Sequence, residues 1–245
     1  MRPARRVGPA SASGRCAVAA LVAVAVAGCA ASPGARSVPP PGPTPWALPE
    51  AALGTQRLLR LDYDGPEGDG SMRLTLRLAS PSAFQLLATD RFGRALWSVD
   101  VDGESVLWID HRRETYCRRP PDAVLPGWDE GPAGALRWIP AILLGAVPAS
   151  VVESRRGGDG EELELEDDRG RRWTATVESG ALTAWTLWDD GGPAWWWRRD
   201  GRGGTLSQRE AGRQLSWREA VVERLAGPLE PIERPAGHDE VCDGP

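Results

Sequence analysis

The segment Ala83–Arg119, AFQLLATDRFGRALWSVDVDGESVLWIDHRRETYCRR, carries the clearest fold signal in the chain. Short apolar runs alternate with turn sequences such as DG at 102–103, a pattern typical of antiparallel strands joined by tight turns. The connection DRFG at 90–93 places Phe92 where turns usually hold polar residues. A large apolar side chain at a loop tip is unfavourable in water unless it contacts something. Phe92 is therefore expected either to contact a partner surface or to fold back onto the core.

Alternation of apolar and polar side chains predicts strands on both sides of this segment. Leu74 and Leu76 share a face with the apolar residues at 72 and 78, while Arg and Thr occupy the other face, as in a half-buried strand. The body is thus predicted to be mainly β, an α+β fold built on an antiparallel sheet. Strands are expected over Thr55–Asp64, Met72–Ala79, Ala83–Thr89, Ala95–Val101, Val106–Asp110, Glu114–Arg118, Glu161–Asp167, Arg172–Glu178, Leu182–Asp189, Ala194–Arg199, Gly203–Arg209 and Arg213–Trp217.

One helix is predicted over Leu136–Leu144, where apolar side chains point in nearly every direction. Pro140 lies inside this run, so the helix either begins near it or kinks there. Gly145 is suited to cap the helix end. A helix that is apolar on all sides must be covered on several of them, which indicates packing against the sheet.

Residues 1–28 have the features of a lipoprotein signal peptide. Four Arg surround the start of an apolar run over Ala17–Ala27, which is too short for a permanent membrane span and ends in VAGC at 26–29. This tetrapeptide matches the bacterial lipobox, in which Cys29 becomes the lipidated N-terminus. The alternative is an ordinary signal peptide with a chance Cys at the cleavage site. Ala30 after the Cys favours the outer membrane, so a lipid anchor there, facing the periplasm, is expected.

The rest of the chain divides by composition. Residues 29–49 are predicted to be a lipidated N-terminus with a Pro-rich linker, residues 50–225 a β domain and residues 226–245 a C-terminal tail. Loss of residues 1–28 removes four Arg and no acidic residue, so the net charge changes from −5 to −9. Charge does not draw such a body to an anionic bilayer, and no concentrated basic patch indicates nucleic-acid binding. Membrane attachment is therefore expected through acylated Cys29.

No catalytic or metal-binding motif stands out. Glu162, Glu164 and Glu166 alternate with Leu and are predicted to share one solvated face, although a run of carboxylates also invites a metal interpretation. The histidines, His111 and His238, adjoin no nucleophile or zinc motif. We therefore expect no enzymatic activity, no metal and no cofactor.

Two cysteines remain after signal removal and lipidation. Cys117 and Cys242 are an even pair, which in an oxidising compartment makes them a possible disulfide that would pin the tail to the sheet. The alternative is two unpaired thiols, or a tail cysteine that is too disordered to reach its partner.

Three stretches of the sequence resemble the LolA and LolB family of lipoprotein-localisation proteins, with the closest local match to LolB. The stretch LLATDRFG at 86–93 resembles that family's strand and protruding apolar loop, with Phe92 where the family has Leu before Gly. The stretch RWIPAILLGAVP at 137–148 resembles its helix ending in Leu-Gly-x-Pro, and GRRW at 170–173 echoes a later Gly-x-x-Trp element. The resemblance spans about residues 55–217.

The resemblance implies a strongly curved antiparallel sheet that forms an incomplete barrel, with a helix packed across its open concave face. It also implies an acceptor that binds acyl chains, takes lipoproteins from a periplasmic carrier and inserts them into the outer membrane. Phe92 and Gly93 would form the membrane-contact loop. The lipid cavity would be lined by Leu74, Leu76, Trp97, Val99, Val106, Ile142 and Leu143, an assignment that a register shift of one residue would invert.

A second hypothesis uses the same fold without transport. The chain contains 12 Trp, enough to fill a cavity meant for lipid. The run Trp195-Trp196-Trp197 cannot face one core because strand side chains alternate, so Trp196 is predicted to point away from the other two. It would then be an interface residue of an envelope scaffold or protein-binding module.

Overall fold

The computed structural model describes residues 47–66, 68–121, 136–156 and 162–242. A 3₁₀ turn at Glu50–Ala52 precedes the sheet, and another at Leu136–Trp138 leads into helix α1, Ile139–Leu144. The strands are β1 Thr55–Gly65, β2 Gly68–Ser80, β3 Ala83–Thr89, β4 Ala95–Val101, β5 Val106–Asp110, β6 Thr115–Arg119, β7 Val151–Arg156, β8 Glu162–Asp167, β9 Arg172–Glu178, β10 Ala181–Asp189, β11 Gly192–Asp200, β12 Gly203–Gln208, β13 Gln214–Arg224 and β14 Asp239–Glu240.

In the described part of the chain, fourteen strands form one sheet in the order β14-β6-β5-β4-β3-β2-β1-β13-β12-β11-β10-β9-β8-β7. The chain moves outward by hairpins from β1 to β6 and crosses by way of α1 to β7 at the far edge. It then returns by hairpins to β13, which pairs with β1. The neighbouring pairs are antiparallel except β14, which adds in parallel to β6. Because β14 and β7 remain edges, the sheet is open, and the predicted incomplete barrel is confirmed.

Local irregularities bend this sheet. The pairing register shifts at Leu58/Leu59 in β1 and at Leu187/Trp188 in β10, and there are further shifts in β2, β3, β7 and β10. A bulge places two residues opposite one, which increases the local twist and bends the strand. Bulges spread over both halves of the sheet therefore produce curvature, with one concave apolar face.

The strand pairing places the predicted apolar face in the core. Leu76 lies opposite Leu86, which lies opposite Val99, so these three side chains occupy one face of three neighbouring strands. Each has no exposed surface. The alternation that indicated this face in the sequence is therefore the alternation of the folded sheet.

Helix α1 packs on this face, as predicted. It begins at Ile139 and not earlier, because Pro140 can occupy the first turn, where a backbone N–H would have no helical partner. Gly145 ends it with φ 77°, and its N–H donates to the Ile142 carbonyl at 3.3 Å. A Cβ atom at Gly145 would lie 2.7 Å from Cη2 of Trp197, so glycine also permits the close approach of helix and sheet. The indole of Trp217 donates to the Leu143 carbonyl at 3.0 Å and fixes the helix further.

Three regions differ from the sequence-based prediction. Strand β13 extends to Arg224, beyond the predicted end at Trp217, because it pairs with β1 along nearly the whole length of that strand. Strand β7 was not predicted, since its sequence VVESRR lacks a continued alternation. The connection between the first two strands is shorter than the gap between the predicted strands Thr55–Asp64 and Met72–Ala79, because Gly68 already pairs with Gly65.

The C-terminal tail lies on the outer face of the first half of the sheet. Leu107, Ile109 and Tyr116 form a small apolar cluster there, and Ile232 from the tail packs against it. A disulfide joins Cys117 to Cys242. The tail thereby covers the apolar side chains that alternate with the core residues of β5 and β6.

Candidate lipid-contact site

The β3–β4 loop is held by one carboxylate. Oδ1 of Asp90 accepts hydrogen bonds from the backbone N–H groups of Phe92, at 2.8 Å, and Arg94, at 3.0 Å. Oδ2 accepts from Nε of Arg94 at 2.7 Å. Desolvation opposes ionisation, but these hydrogen bonds lower the pKa of Asp90 below its ordinary value. Gly93 closes the loop with φ 83°, a conformation that glycine adopts at low cost.

This arrangement displays Phe92, whose side chain is 70% exposed. It is the most exposed of the large apolar residues in the described part of the chain. The guanidinium carbons of Arg91 and Arg94 lie 4.7 Å and 5.6 Å from its ring centroid. The ring does not fold back onto the core, which removes one of the two alternatives that the sequence left open.

The residues predicted to line a lipid cavity lie together on the concave face. Leu74, Leu76, Val99 and Val106 are at most 1% exposed and belong to the same core cluster as Ile142 and Leu143 of α1. Trp97 is partly buried against that cluster, and its ring stacks on Trp108 with centroids 5.1 Å apart. Sheet and helix therefore meet across these side chains, and their role in holding lipid stays a prediction.

Tryptophans fill the concave face of the second half of the sheet. Trp173, Trp185, Trp195 and Trp197 are each at most 2% exposed. Trp185 lies edge-on to Trp173 at 5.4 Å between centroids and stacks on Trp197 at 6.4 Å. Trp196 points the other way and is 38% exposed, so the predicted alternation of the Trp triplet is confirmed.

Two of these indoles carry unused hydrogen-bond donors. Among the residues that the structure describes, Nε1 of Trp185 and Nε1 of Trp197 are buried and have no acceptor. Trp173, by contrast, donates to the Asp167 carboxylate at 3.0 Å. The concave face thus contains two buried N–H groups that could donate to a carbonyl oxygen brought in by a ligand.

The other predicted site residues are placed as follows. Cys29 lies outside the described residues. The side chains of Glu162, Glu164 and Glu166 are exposed while Leu163 and Leu165 between them are buried. In the described ranges, no group of three or more His, Cys, Asp or Glu side chains is arranged to hold a metal ion.

Sequence reasoning missed the contact between the two histidines. The rings of His111 and His238 lie 6.2 Å apart, and Nε2 of His111 is 3.0 Å from the Ser98 hydroxyl. Burial, and then the neighbouring His238, lower the pKa of His111 below its ordinary value, against the opposing effect of Asp110. The contact depends on where the tail docks, and no local pattern in the sequence indicates this.

Some solved structures are similar to this chain at low sequence identity. No protein-family model matches the sequence, and no curated protein matches it. A LolA superfamily protein from Nitrosomonas europaea has a similar solved structure, with 11% identity and a TM-score of 0.49 over 74% of this chain and 90% of that one. A protein domain from Vibrio parahaemolyticus, described as outer membrane lipoprotein-sorting, has 9% identity and a TM-score of 0.49 over 74% and 89%. A DUF1329 family protein from Desulfovibrio piger has 6% identity and a TM-score of 0.48 over 74% and 89%.

No helix in the described part of the chain combines the length and apolar character required to cross a membrane. One of the solved structures similar to this chain is that of a LolA superfamily protein, the group that the sequence motifs of this chain resemble.

Proposed function

We propose that this chain is a lipid-anchored envelope lipoprotein that binds acyl chains between its concave sheet and α1 and touches a bilayer with Phe92. It would act as a LolB-type acceptor that receives lipoproteins from a periplasmic carrier and inserts them into the outer membrane. The observation that carries the proposal is the display of Phe92 on a loop held rigid by Asp90. In the described part of the chain, the ring is exposed and lies beside the guanidinium groups of Arg91 and Arg94 instead of in the core.

The energetics of the loop suit a transient membrane contact. Transfer of a Phe side chain from water to an apolar phase contributes about 2 kcal/mol, which is far too little for permanent attachment. Arg91 and Arg94 beside the ring can keep their guanidinium groups at the headgroup level while the ring enters the apolar region. The acyl chains on Cys29 would supply the lasting anchor.

Acyl binding requires α1 to move. Ile142 and Leu143 are 3% and 6% exposed because they pack on the sheet, so a chain can enter only where the helix separates from it. Each buried methylene then contributes about 0.8 kcal/mol, and the ester or amide carbonyl of the acyl group can accept from the unused indoles of Trp185 and Trp197. Cargo release needs no catalysis, since a bilayer offers the same apolar environment.

The test is a titration of the protein lacking residues 1–29 with a fluorescent C16 fatty acid. Saturable binding that a Trp185→Phe/Trp197→Phe double variant weakens supports acyl handling. A folded protein that binds no fatty acid contradicts it. In a transfer assay with a purified lipoprotein, Phe92→Glu is expected to block delivery to vesicles without unfolding the domain, and undiminished delivery would show that the loop has another role.

The second candidate is an envelope scaffold or protein-binding module of the same fold. It is favoured by the four buried tryptophans, whose rings already occupy the concave face of the second half. Trp196 would then be the exposed contact residue of a binding surface. The same titration separates the candidates, because a core filled by its own tryptophans takes up no fatty acid.

A further inference from the structure

A cleft lies beside the end of α1, and its lining residues belong to elements other than the β3–β4 loop that displays Phe92. It has a volume of about 180 Å³ and lies between the end of α1, the β11–β12 turn and the paired strands β1 and β13. Its floor includes Leu143, Gly145 and the Trp197 ring. Three arginines and one glutamate line the rest: Arg57, Arg199, Arg202 and Glu219.

The two sites adjoin strand ends that point in opposite directions along the sheet. Strand β3 runs in the same direction as β1, so the loop that displays Phe92 follows the end of β3 that lies toward the C-terminal end of β1. Strand β11 runs opposite to β1, so the turn that carries Arg202 lies toward the N-terminal end of β1. No residue of the β3–β4 loop lines the cleft, so an occupant of the cleft and the membrane contact proposed for Phe92 use different residues.

Two of the three guanidinium groups are fixed in advance. Arg57 forms an ion pair with Glu219 and donates from Nε to the Thr55 hydroxyl at 3.2 Å. Arg199 donates from Nε to the Leu182 carbonyl at 3.1 Å, with its guanidinium carbon 5.8 Å from the Trp197 ring centroid. Preorganised guanidinium groups lose little side-chain entropy when a ligand binds.

The third guanidinium group, that of Arg202, is available to bind a ligand. Arg202 is exposed, and its side chain has no hydrogen bond or ion pair among the described residues. Its backbone carbonyl accepts a hydrogen bond from the N–H of Glu219 at 2.9 Å. The charges of Glu219 and Arg57 cancel. Arg199 and Arg202 therefore give the lining a net charge of +2, in a chain whose net charge is −5.

We propose that this cleft binds a phosphate monoester group, clamped by Arg199 and Arg202 beside the Arg57–Glu219 pair. A phosphate monoester carries a charge between about −1.5 and −2 at neutral pH and presents three acceptor oxygens, which complements the lining. A cavity of about 150 Å³ accommodates a molecule the size of benzene. The cleft therefore has room for the phosphate and a small substituent such as glycerol, and the ligand is either a free metabolite or a lipid headgroup with that chemistry.

The test uses the full chain in dodecyl maltoside, a neutral detergent, with binding followed by calorimetry at constant ionic strength. Inorganic phosphate and sn-glycerol 3-phosphate are expected to bind saturably below about 10 mM, the range expected for a few charge-assisted hydrogen bonds. Arg202→Gln is expected to weaken binding about tenfold, and Arg202→Glu to abolish it. Arg112→Gln, an exposed arginine on the β5–β6 turn, is the matched control and is expected to bind normally.

A further titration with dihexanoyl phosphatidic acid, below its critical micelle concentration, distinguishes the sources. Binding at least about tenfold tighter than that of sn-glycerol 3-phosphate, and dependent on Arg202, identifies a lipid headgroup, whereas equal affinities identify a free phosphate monoester. Absence of saturable phosphate binding overturns the proposal. So does binding that Arg202→Glu leaves unchanged, or an equal loss in Arg112→Gln. None of these outcomes depends on fatty-acid binding or on Phe92.

Discussion

Two loops of this protein have the same internal structure and different tips. The β3–β4 loop has the sequence DRFGR at 90–94, and the β8–β9 loop has DDRGR at 167–171. In the second loop, Oδ1 of Asp167 accepts from the backbone of Arg169 at 3.0 Å and of Arg171 at 2.9 Å, and Oδ2 accepts from Nε of Arg171 at 2.7 Å. Asp90 accepts the equivalent hydrogen bonds from Phe92 and Arg94 in the first loop. Where one loop displays Phe92, the other displays Arg169.

The comparison shows that the fold does not require an aromatic residue at this position. Both loops close with a glycine of positive φ, 83° in Gly93 and 72° in Gly170, and both lie at the same end of the strands. They differ in the aspartate. The Asp167 side chain has no exposed surface and also binds the Trp173 indole, whereas the Asp90 side chain is 14% exposed. One loop anchors the core, and the other presents a side chain to its surroundings.

The largest effect is expected when the aspartates are removed. Asp167→Ala leaves Arg171 and the Trp173 indole without their acceptor, and such loss of one partner from a buried pair costs about 3 kcal/mol. Asp90→Ala is expected to destabilise the protein much less, because solvent can reach its former partners. Urea unfolding of both variants measures the difference. Equal losses would show that the two carboxylates contribute alike.

The contribution of Asp167 to the stability of the fold should depend on pH. Desolvation opposes ionisation of Asp167, but the hydrogen bonds from the Arg171 backbone, the Trp173 indole and the Arg171 side chain lower its pKa in the folded protein. Its contribution to stability is therefore complete above the unfolded pKa of about 3.9 and is lost as the pH falls through the folded value. The stability gap between the wild type and Asp167→Asn should narrow below about pH 4. Urea unfolding at several pH values measures it, and a gap constant down to pH 2 would contradict this assignment.

Replacement of the residue at the tip of the β3–β4 loop tests whether Phe92 contacts membranes. Phe92→Arg introduces the residue type found at the equivalent position of the β8–β9 loop, Arg169, so the fold should be retained. Loss of about 2 kcal/mol of apolar transfer predicts about 30-fold weaker binding to phosphatidylcholine vesicles, which carry no net charge that would attract the new arginine. Flotation of the protein lacking residues 1–29 measures this. Arg169→Ala is the control and should bind like the wild type.

The smallest effect concerns the two glycines. A Cβ atom at Gly93 or Gly170 would have no other atom within 4 Å, so alanine at either site is penalised only by its positive φ. Each replacement should cost about 1 kcal/mol, and the two costs should be equal. Thermal unfolding of the pair provides the measurement. A clear inequality would mean that the loops do not share one backbone structure.

Much of the sheet could be predicted because alternation survives folding. The strands at Ala83–Thr89, Ala95–Val101 and Val106–Asp110 have the predicted bounds, and the helix begins beside Pro140 as one alternative required. Each of these rests on neighbours in the sequence. Phe92 was singled out for the same reason, since a turn with an apolar tip is a local anomaly.

What could not be predicted depends on distant residues. Arg57, Arg199 and Arg202 meet only because β13 returns to β1 after the crossover, and no local pattern encodes that register. The docking of the tail on β5 and β6 has the same origin. The repeated Asp-x-x-Gly-Arg motif, however, is visible in the sequence itself, and it indicates that the β3–β4 and β8–β9 loops have the same structure.

The most direct test of the membrane contact uses an environment-sensitive fluorophore, nitrobenzoxadiazole, on a single cysteine beside each tip. The lipid-anchored protein in vesicles carries the label either at Arg91→Cys or at the equivalent Asp168→Cys. The proposed function predicts a blue-shifted emission at position 91 that Phe92→Arg removes, and little shift at 168. An unshifted emission at 91, a shift that survives Phe92→Arg, or an equal shift at 168 would contradict it.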